Sequence, residues 1–168
     1  MRYSLYFAYG SNMQEPQFKE RCPSSHFLCR AALPAHRFVI TTRGYASVEP
    51  QSGDEVQGVL CAITESDEWE LDRREGVHEN IYRREHLAVV TEFGYAMRAL
   101  LYIDHVKEPG VPKKGYLEKI LAGAERHQLP AAYVAEIKAW AKKSGESVPA
   151  FLKRLAGKHT PTRATGRR

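Results

Sequence analysis

Short apolar stretches separated by turn residues make up most of the chain up to Ile103. Runs rich in aromatic and β-branched residues that end at Gly, Pro, Asn or Ser are typical of β-strands. The predicted strands are Tyr3 to Tyr9, Phe27 to Leu33, Arg37 to Thr41, Ala46 to Val48, Val56 to Ile63, Ile81 to Thr91 and Met97 to Ile103. The last two flank Glu92-Phe93-Gly94-Tyr95, which predicts an antiparallel hairpin.

Helical spacing of apolar residues interrupts the strands and then dominates the last third of the chain. A short helix is predicted near Met13 to Arg21, and a second begins at Thr64-x-x-Asp67 and ends at Gly76, a typical C′ residue. The C-terminal helices are predicted over Tyr116 to His127, Ala131 to Lys142 and Val148 to Ala156. This pattern predicts an α+β fold, with a mixed sheet or small β-barrel, flanking helices and a helical C-terminus.

The segment Tyr6 to Met13, YFAYGSNM, is an aromatic strand that stops at a Gly-Ser-Asn turn. Gly10 permits a tight turn. Ser11 and Asn12 are good N-cap residues, and Gln14-Glu15 follows at the spacing of a capping box. A strand that turns into a helix in this way directs several backbone N–H groups at one spot, which suits a carboxylate, a phosphate or an oxyanion. An ordinary strand-to-helix turn is the alternative.

Glu75 is the candidate catalytic residue of the helix that ends at Gly76. On this helix Glu68, Leu71 and Glu75 share one face, so a buried Leu71 would direct Glu75 inward or into a cleft. The last turn disfavours an anion by roughly 0.3–1 kcal/mol. Burial would further raise the pKa of the carboxyl towards that of a general base. The alternative is a surface glutamate paired with Arg73 or Arg74.

The length and composition predict one globular domain over residues 1–157, followed by a basic, disordered tail over residues 158–168. Cys22, Cys29 and Cys61 form no C-x-x-C pair, so we expect three reduced thiols and neither a disulfide framework nor a zinc site. No apolar run is long enough to span a membrane and no signal peptide is recognisable. These features predict a cytoplasmic protein.

The formal charge of +5 arises from the C-terminal end. From residue 153 onward there are six basic residues and no acid, which leaves 19 basic and 20 acidic residues in the rest of the chain. The six are Lys153, Arg154, Lys158, Arg163, Arg167 and Arg168. Because the basic excess belongs to the tail, it disfavours a nucleic-acid partner for the folded part, although the tail could contact an acidic surface.

Taken together, YFAYGSNM and LDRREGV, at Leu71 to Val77, resemble the γ-glutamylcyclotransferase family. Enzymes of this family release 5-oxoproline from γ-glutamyl compounds. The resemblance extends from about residue 3 to about residue 140. Other positions that carry it are Asp54-Glu55-Val56, Gly58-Val59, Gly115-Tyr116, Gly123-Ala124 and Leu129-Pro130. In the glutathione-specific branch a leucine is typical where this chain has Asn12, which disfavours that branch.

The resemblance implies an enzyme that acts on a small γ-glutamyl amino acid or amine, with Glu75 as general acid and base. The implied substrate-binding residues are Tyr9, Gly10, Ser11, Asn12, Tyr82 and Tyr116. The substrate's α-amino group can attack its own γ-carbonyl, so the enzyme has to hold the reactive rotamer and move protons. This chemistry needs no cofactor and no metal.

Two alternatives remain open from the sequence. The leaving group could be an amine or part of a γ-glutamyl-protected natural product, because the motif residues would be the same. The chain could also be a non-catalytic small-molecule-binding module that uses its basic tail for a macromolecular partner. A carboxylate at Glu75 argues against pure binding. A homodimer is possible, and the sequence does not decide the oligomeric state.

Overall fold

The computed structural model describes residues 2–144. Its strands are β1 Tyr3–Ala8, β2 His26–Ile40, β3 Ala46–Thr64, β4 Tyr82–Thr91 and β5 Ala96–Asp104. Its helices are α1 Glu15–Arg21, α2 Glu65–Arg74, α3 Tyr116–Arg126 and α4 Ala131–Ala139, with 3₁₀ helices at Ser11–Met13, Val77–Glu79 and Trp140–Ser144. The helix predicted over Val148 to Ala156, the boundary at residue 157 and the tail over 158–168 lie outside the described residues.

The five strands close into a barrel in the order β1-β3-β2-β4-β5. Neighbouring strands of this barrel pair antiparallel except β1 and β5, which are parallel where Tyr6 faces Leu100. The sheet is therefore mixed and closed, and helices flank it, which confirms the predicted fold class. The hairpin of β4 and β5 is also confirmed.

Strands β2 and β3 are each continuous, where the sequence predicted two shorter strands apiece. Pro34 lies opposite Glu55 and His36 lies opposite Pro50, so the register of the pair shifts while the pairing continues on both sides. Ala35 adopts a positive φ of 55° at this irregularity. Proline and glycine predict turns in the isolated sequence, but a bulge in a long two-stranded ribbon accommodates the same residues.

Helix α2 begins and ends where the sequence predicted. The Thr64 side chain accepts a hydrogen bond from the Asp67 backbone N–H, and the Asp67 carboxylate accepts one from the Thr64 N–H at 3.0 Å. Gly76 follows the helix with a φ of 63°, in the left-handed region. Leu71 is fully buried and anchors the inner face of the helix. The capping box and this anchor fix the direction in which the last turn presents Glu75.

The capping box predicted for the Gly-Ser-Asn turn is wrong. Residues 11–13 form a separate 3₁₀ helix without a side-chain cap, and α1 begins only at Glu15, with Pro16 in its first turn. The Asn12 side chain is used for tertiary hydrogen bonds instead, including one that its amide donates to the Tyr6 hydroxyl at 2.9 Å. The local cap is lost because distant partners take up the same side-chain atoms.

Helix α3 packs directly on the turn that follows β1. A Cβ added to Gly123 would lie 2.6 Å from backbone and side-chain atoms of Met13, so only glycine permits this approach. Leu121 and Ile120 on α3 are fully buried in the core that also contains Met13. The position of the turn is therefore set by β1 on one side and by α3 on the other.

Candidate active site

The structure brings all seven predicted site residues to the wall of one cavity of about 630 Å³. They are Tyr9, Gly10, Ser11, Asn12, Glu75, Tyr82 and Tyr116. Four come from the end of β1 and its turn, and the others come from the end of α2, the start of β4 and the start of α3. Closure of the barrel and docking of the two helices thus place residues far apart in sequence around one space.

Asn12 connects the turn to Glu75. Its Nδ2 lies 3.5 Å from Glu75 Oε1 and donates a hydrogen bond to the Tyr6 hydroxyl at 2.9 Å. Its Oδ1 accepts a hydrogen bond from Arg21 Nη1 at 2.7 Å. One amide therefore links a carboxylate, a phenol and a guanidinium, and it fixes the distance between the two halves of the site.

Glu75 is half-buried at the C-terminal end of α2, and its pKa is raised above the ordinary value. Burial is the main cause, and the charge of Arg21 and the hydrogen bond from Asn12 oppose it. The surface ion pair considered from the sequence does not form, because Arg73 and Arg74 both bind Glu70, at 2.8 and 2.5 Å. Glu75 is thus a carboxylate that faces the cavity and whose affinity for a proton is increased.

Tyr116 lies where the backbone N–H groups of the turn were predicted to converge. Its hydroxyl oxygen accepts a hydrogen bond from the Ala46 N–H at 3.2 Å, and Ser11 lines the same cavity. A Cβ on Gly10 would lie 3.3 Å from the same oxygen, which shows how closely the turn approaches it. Burial raises the pKa of Tyr116 to about 12, so the hydroxyl keeps its proton near neutral pH.

Tyr82 and Tyr9 supply further hydroxyl groups. The Tyr82 hydroxyl donates to the Ala46 carbonyl at 2.9 Å, and the Tyr9 hydroxyl donates to the Tyr102 carbonyl. Burial raises the pKa of both tyrosines well above the ordinary value. The cavity therefore combines neutral phenols and backbone N–H groups with one proton-accepting carboxylate, a set that can bind an anion and move a proton.

The cavity wall also contains residues that the sequence analysis did not single out. They are mainly cations and aromatic residues: Tyr6, Gln17, Arg21, Arg43, Tyr45, Arg74, Lys113, Lys119 and Tyr102. Tyr6 is the first residue of the YFAYGSNM motif and Arg21 ends the helix that follows it, so their position in the sequence could have identified them. Arg43 and Lys113 come from irregular segments that carry no motif, and the sequence contains no signal for their place in the site.

No group of three or more His, Cys, Asp or Glu side chains within residues 2–144 is placed to hold a metal ion. The three cysteines are free thiols, and two of them, Cys22 and Cys61, are buried. Burial raises the pKa of Cys22 to about 12, which keeps this thiol protonated. Across the same described residues, no helix has the length and apolar character to cross a membrane.

Comparison with known proteins gives related sequences and folds. Residues 55–137 match the AIG2-like family. The γ-glutamylcyclotransferase of Homo sapiens is 31% identical over 145 residues, which cover 80% of this chain and 77% of the human protein. The Mus musculus γ-glutamylcyclotransferase is 32% identical over the same length and with the same coverage. A solved structure of a γ-glutamyl cyclotransferase, 28% identical, superposes with a TM-score of 0.78 over 91% of this chain and 99% of that one.

Proposed function

This chain belongs to the γ-glutamylcyclotransferase family, and we propose that it releases 5-oxoproline from a small γ-glutamyl amino acid or amine, with Glu75 as general acid and base. One observation carries the proposal. Glu75 Oε1 lies 3.5 Å from Asn12 Nδ2, so the carboxylate and the Gly-Ser-Asn turn face each other across one cavity. A γ-glutamyl head group bound in this cavity, beside the pair, would contact both.

The reaction is an internal acyl transfer. The substrate's α-ammonium group gives a first proton to Glu75, and the free amine then attacks the γ-carbonyl carbon to form the ring C–N bond. The amide C–N bond to the leaving group breaks as Glu75 passes this proton to the departing nitrogen. Glu75 then takes the second proton from the ring nitrogen, which leaves the neutral lactam, and releases it to the departed amine. The raised pKa of Glu75 brings its carboxyl closer to the operating pH, where a general base is most effective.

The turn and the tyrosines would bind the negative charges of the substrate. Because the Tyr116 hydroxyl oxygen accepts a hydrogen bond from the Ala46 N–H, its own proton is available to the substrate carboxylate or to the developing oxyanion. Alternatively, a substrate oxygen takes the place of this hydroxyl and accepts the hydrogen bond from the Ala46 N–H. Both arrangements place the anion beside the turn and the reacting carbonyl towards Glu75.

The test is an assay of 5-oxoproline with γ-glutamyl-alanine, ε-(γ-glutamyl)-lysine and glutathione as substrates. Glu75→Gln is expected to lower the rate by about 10²–10⁴-fold, the usual contribution of a general acid–base group. Glu79→Gln is the matched control, because Glu79 is an exposed glutamate four residues further along the chain and outside the cavity.

Each alternative has its own result in this assay. Release from ε-(γ-glutamyl)-lysine alone supports the γ-glutamylamine alternative. Binding of γ-glutamyl compounds without release supports the non-catalytic module. No 5-oxoproline from any substrate, or an unchanged rate in Glu75→Gln, contradicts the proposal. The cytoplasmic location and the possible homodimer stay predictions, which fractionation and light scattering would test.

A further inference from the structure

Among residues 2–144, the cavity wall contains one carboxylate, Glu75, and five cationic residues. The five are Arg21, Arg43, Arg74, Lys113 and Lys119. Two of them are compensated by acids, since Arg43 lies 3.5 Å from Asp104 and Arg74 lies 2.5 Å from Glu70. A surplus of positive charge therefore faces the space in which the substrate would lie.

Lys113 and Lys119 carry the uncompensated charge at the rim. Within residues 2–144, neither lysine forms an ion pair. Lys113 Nζ donates to the Tyr45 hydroxyl at 3.0 Å, and Lys119 Nζ donates to Gln17 Oε1 at 2.9 Å. Both ammonium groups are thus held by neutral partners, so their charge stays available to a ligand.

The two lysines lie three residues before and three residues after Tyr116, the first residue of α3. Tyr45, which holds Lys113, packs edge-on against Tyr116 with ring centroids 5.1 Å apart. Gln17, which holds Lys119, also donates to Ser11 Oγ at 3.2 Å. Each lysine is therefore connected through one neutral side chain to a residue of the proposed γ-glutamyl site.

From this arrangement we propose that the enzyme prefers a γ-glutamyl amino acid whose leaving residue carries a side-chain carboxylate, and that Lys113 and Lys119 select it. The inference rests on the proposed function. With the γ-glutamyl group bound in the cavity against Asn12 and Glu75, the leaving residue extends to the rim, where the lysines and the positive N-terminal end of α3 favour an anion. A simple amine would leave these charges without a partner.

The experiment compares γ-glutamyl-glutamate with γ-glutamyl-glutamine, which has the same shape but an amide in place of the side-chain carboxylate. We expect kcat/KM to be about three- to tenfold higher for the acidic substrate, the range for two partly exposed ion pairs. In Lys113→Met/Lys119→Met the ratio should fall to about one. Lys114→Met is the control, since Lys114 is an exposed neighbour that does not line the cavity.

A salt titration of the unmodified protein gives an independent measurement. Raising the ionic strength from about 0.1 M to about 1 M shortens the screening length from about 10 Å to about 3 Å, so the ratio should fall towards one. The inference is overturned if the ratio of kcat/KM for the acidic substrate to that for the amide is one or less at low salt, or if the double variant leaves this ratio unchanged. In either case, turnover of both substrates still supports the proposed function. Absence of 5-oxoproline from both substrates overturns the proposed function itself.

Discussion

Arg21 controls the electrostatic environment of Glu75 through Asn12, and its replacement by methionine should change the pH dependence of catalysis. Its guanidinium donates to Asn12 Oδ1 at 2.7 Å, and the Nδ2 of the same amide lies 3.5 Å from Glu75 Oε1. The positive charge favours the ionised carboxylate and lowers the pKa of Glu75, in opposition to burial. Removal of the charge should therefore raise this pKa further.

The size of the effect follows from the separation of the two charges. An opposite charge near a carboxyl group changes its pKa by about 1–3 pH units. Because Glu75 must be ionised to accept the substrate proton, the acid limb of the profile should move to higher pH. A whole amide group separates Arg21 from Glu75, so we expect an effect at the lower end of this range, seen as a loss of kcat/KM of about tenfold on the acid limb.

The assay is kcat/KM for 5-oxoproline release from pH 4 to pH 9. Arg21→Lys should restore much of the profile because it restores the charge. Arg74→Met is the matched control, since Arg74 also lines the cavity but is already paired with Glu70. An unmoved acid limb in Arg21→Met, an equal displacement in Arg74→Met, or a uniform loss of kcat/KM at every pH would refute this role for Arg21.

Three further predictions concern stability. The pKa of Glu75 is raised in the folded protein, so ionisation of this group lowers the free energy of unfolding as the pH rises above the ordinary glutamate range. In urea unfolding at neutral pH, Glu75→Gln should therefore be more stable than the unmodified protein. A less stable variant would contradict the burial argument. Gly123→Ala places a Cβ within 2.6 Å of Met13 and should lower the free energy of unfolding by about 1–3 kcal/mol, which lowers the melting temperature by about 2–10 °C. An unchanged melting temperature would mean that α3 does not contact the turn this closely. Asp67→Ala breaks the capping box with Thr64 and should lower the free energy of unfolding, measured by urea titration, by about 1–2 kcal/mol. An unchanged free energy of unfolding would show that the capping box does not stabilise α2.

The parts of the fold that depend on neighbouring residues could be predicted from the sequence. The bounds of α2 follow from Thr64, Asp67 and Gly76, whose interactions lie within one or two turns of the chain. The β4–β5 hairpin is local in the same sense. The single strands β2 and β3 could not be predicted, because pairing between them maintains the strand through proline and glycine positions that end a strand in isolation.

The residue types of the candidate site came from the sequence, but their arrangement came from the barrel. Asn12 illustrates the difference, since its sequence context predicted a helix cap and the structure uses its amide for Tyr6, Arg21 and Glu75. The distance between the turn and Glu75 is set by the pairing of β1 with β3 and the packing of α2. No local pattern contains that information.

The sequence by itself determined strand β1, the bounds of α2, the family resemblance and the carboxylate at Glu75. Only the tertiary structure decided that the carboxylate faces the turn, that burial raises its pKa, and that Lys113 and Lys119 lie at the cavity rim without an ion pair among residues 2–144. The physical reason is that burial and charge separation depend on contacts between segments that are distant in the sequence. Gln17 on α1 and Lys119 on α3, for example, are 102 residues apart and share a hydrogen bond.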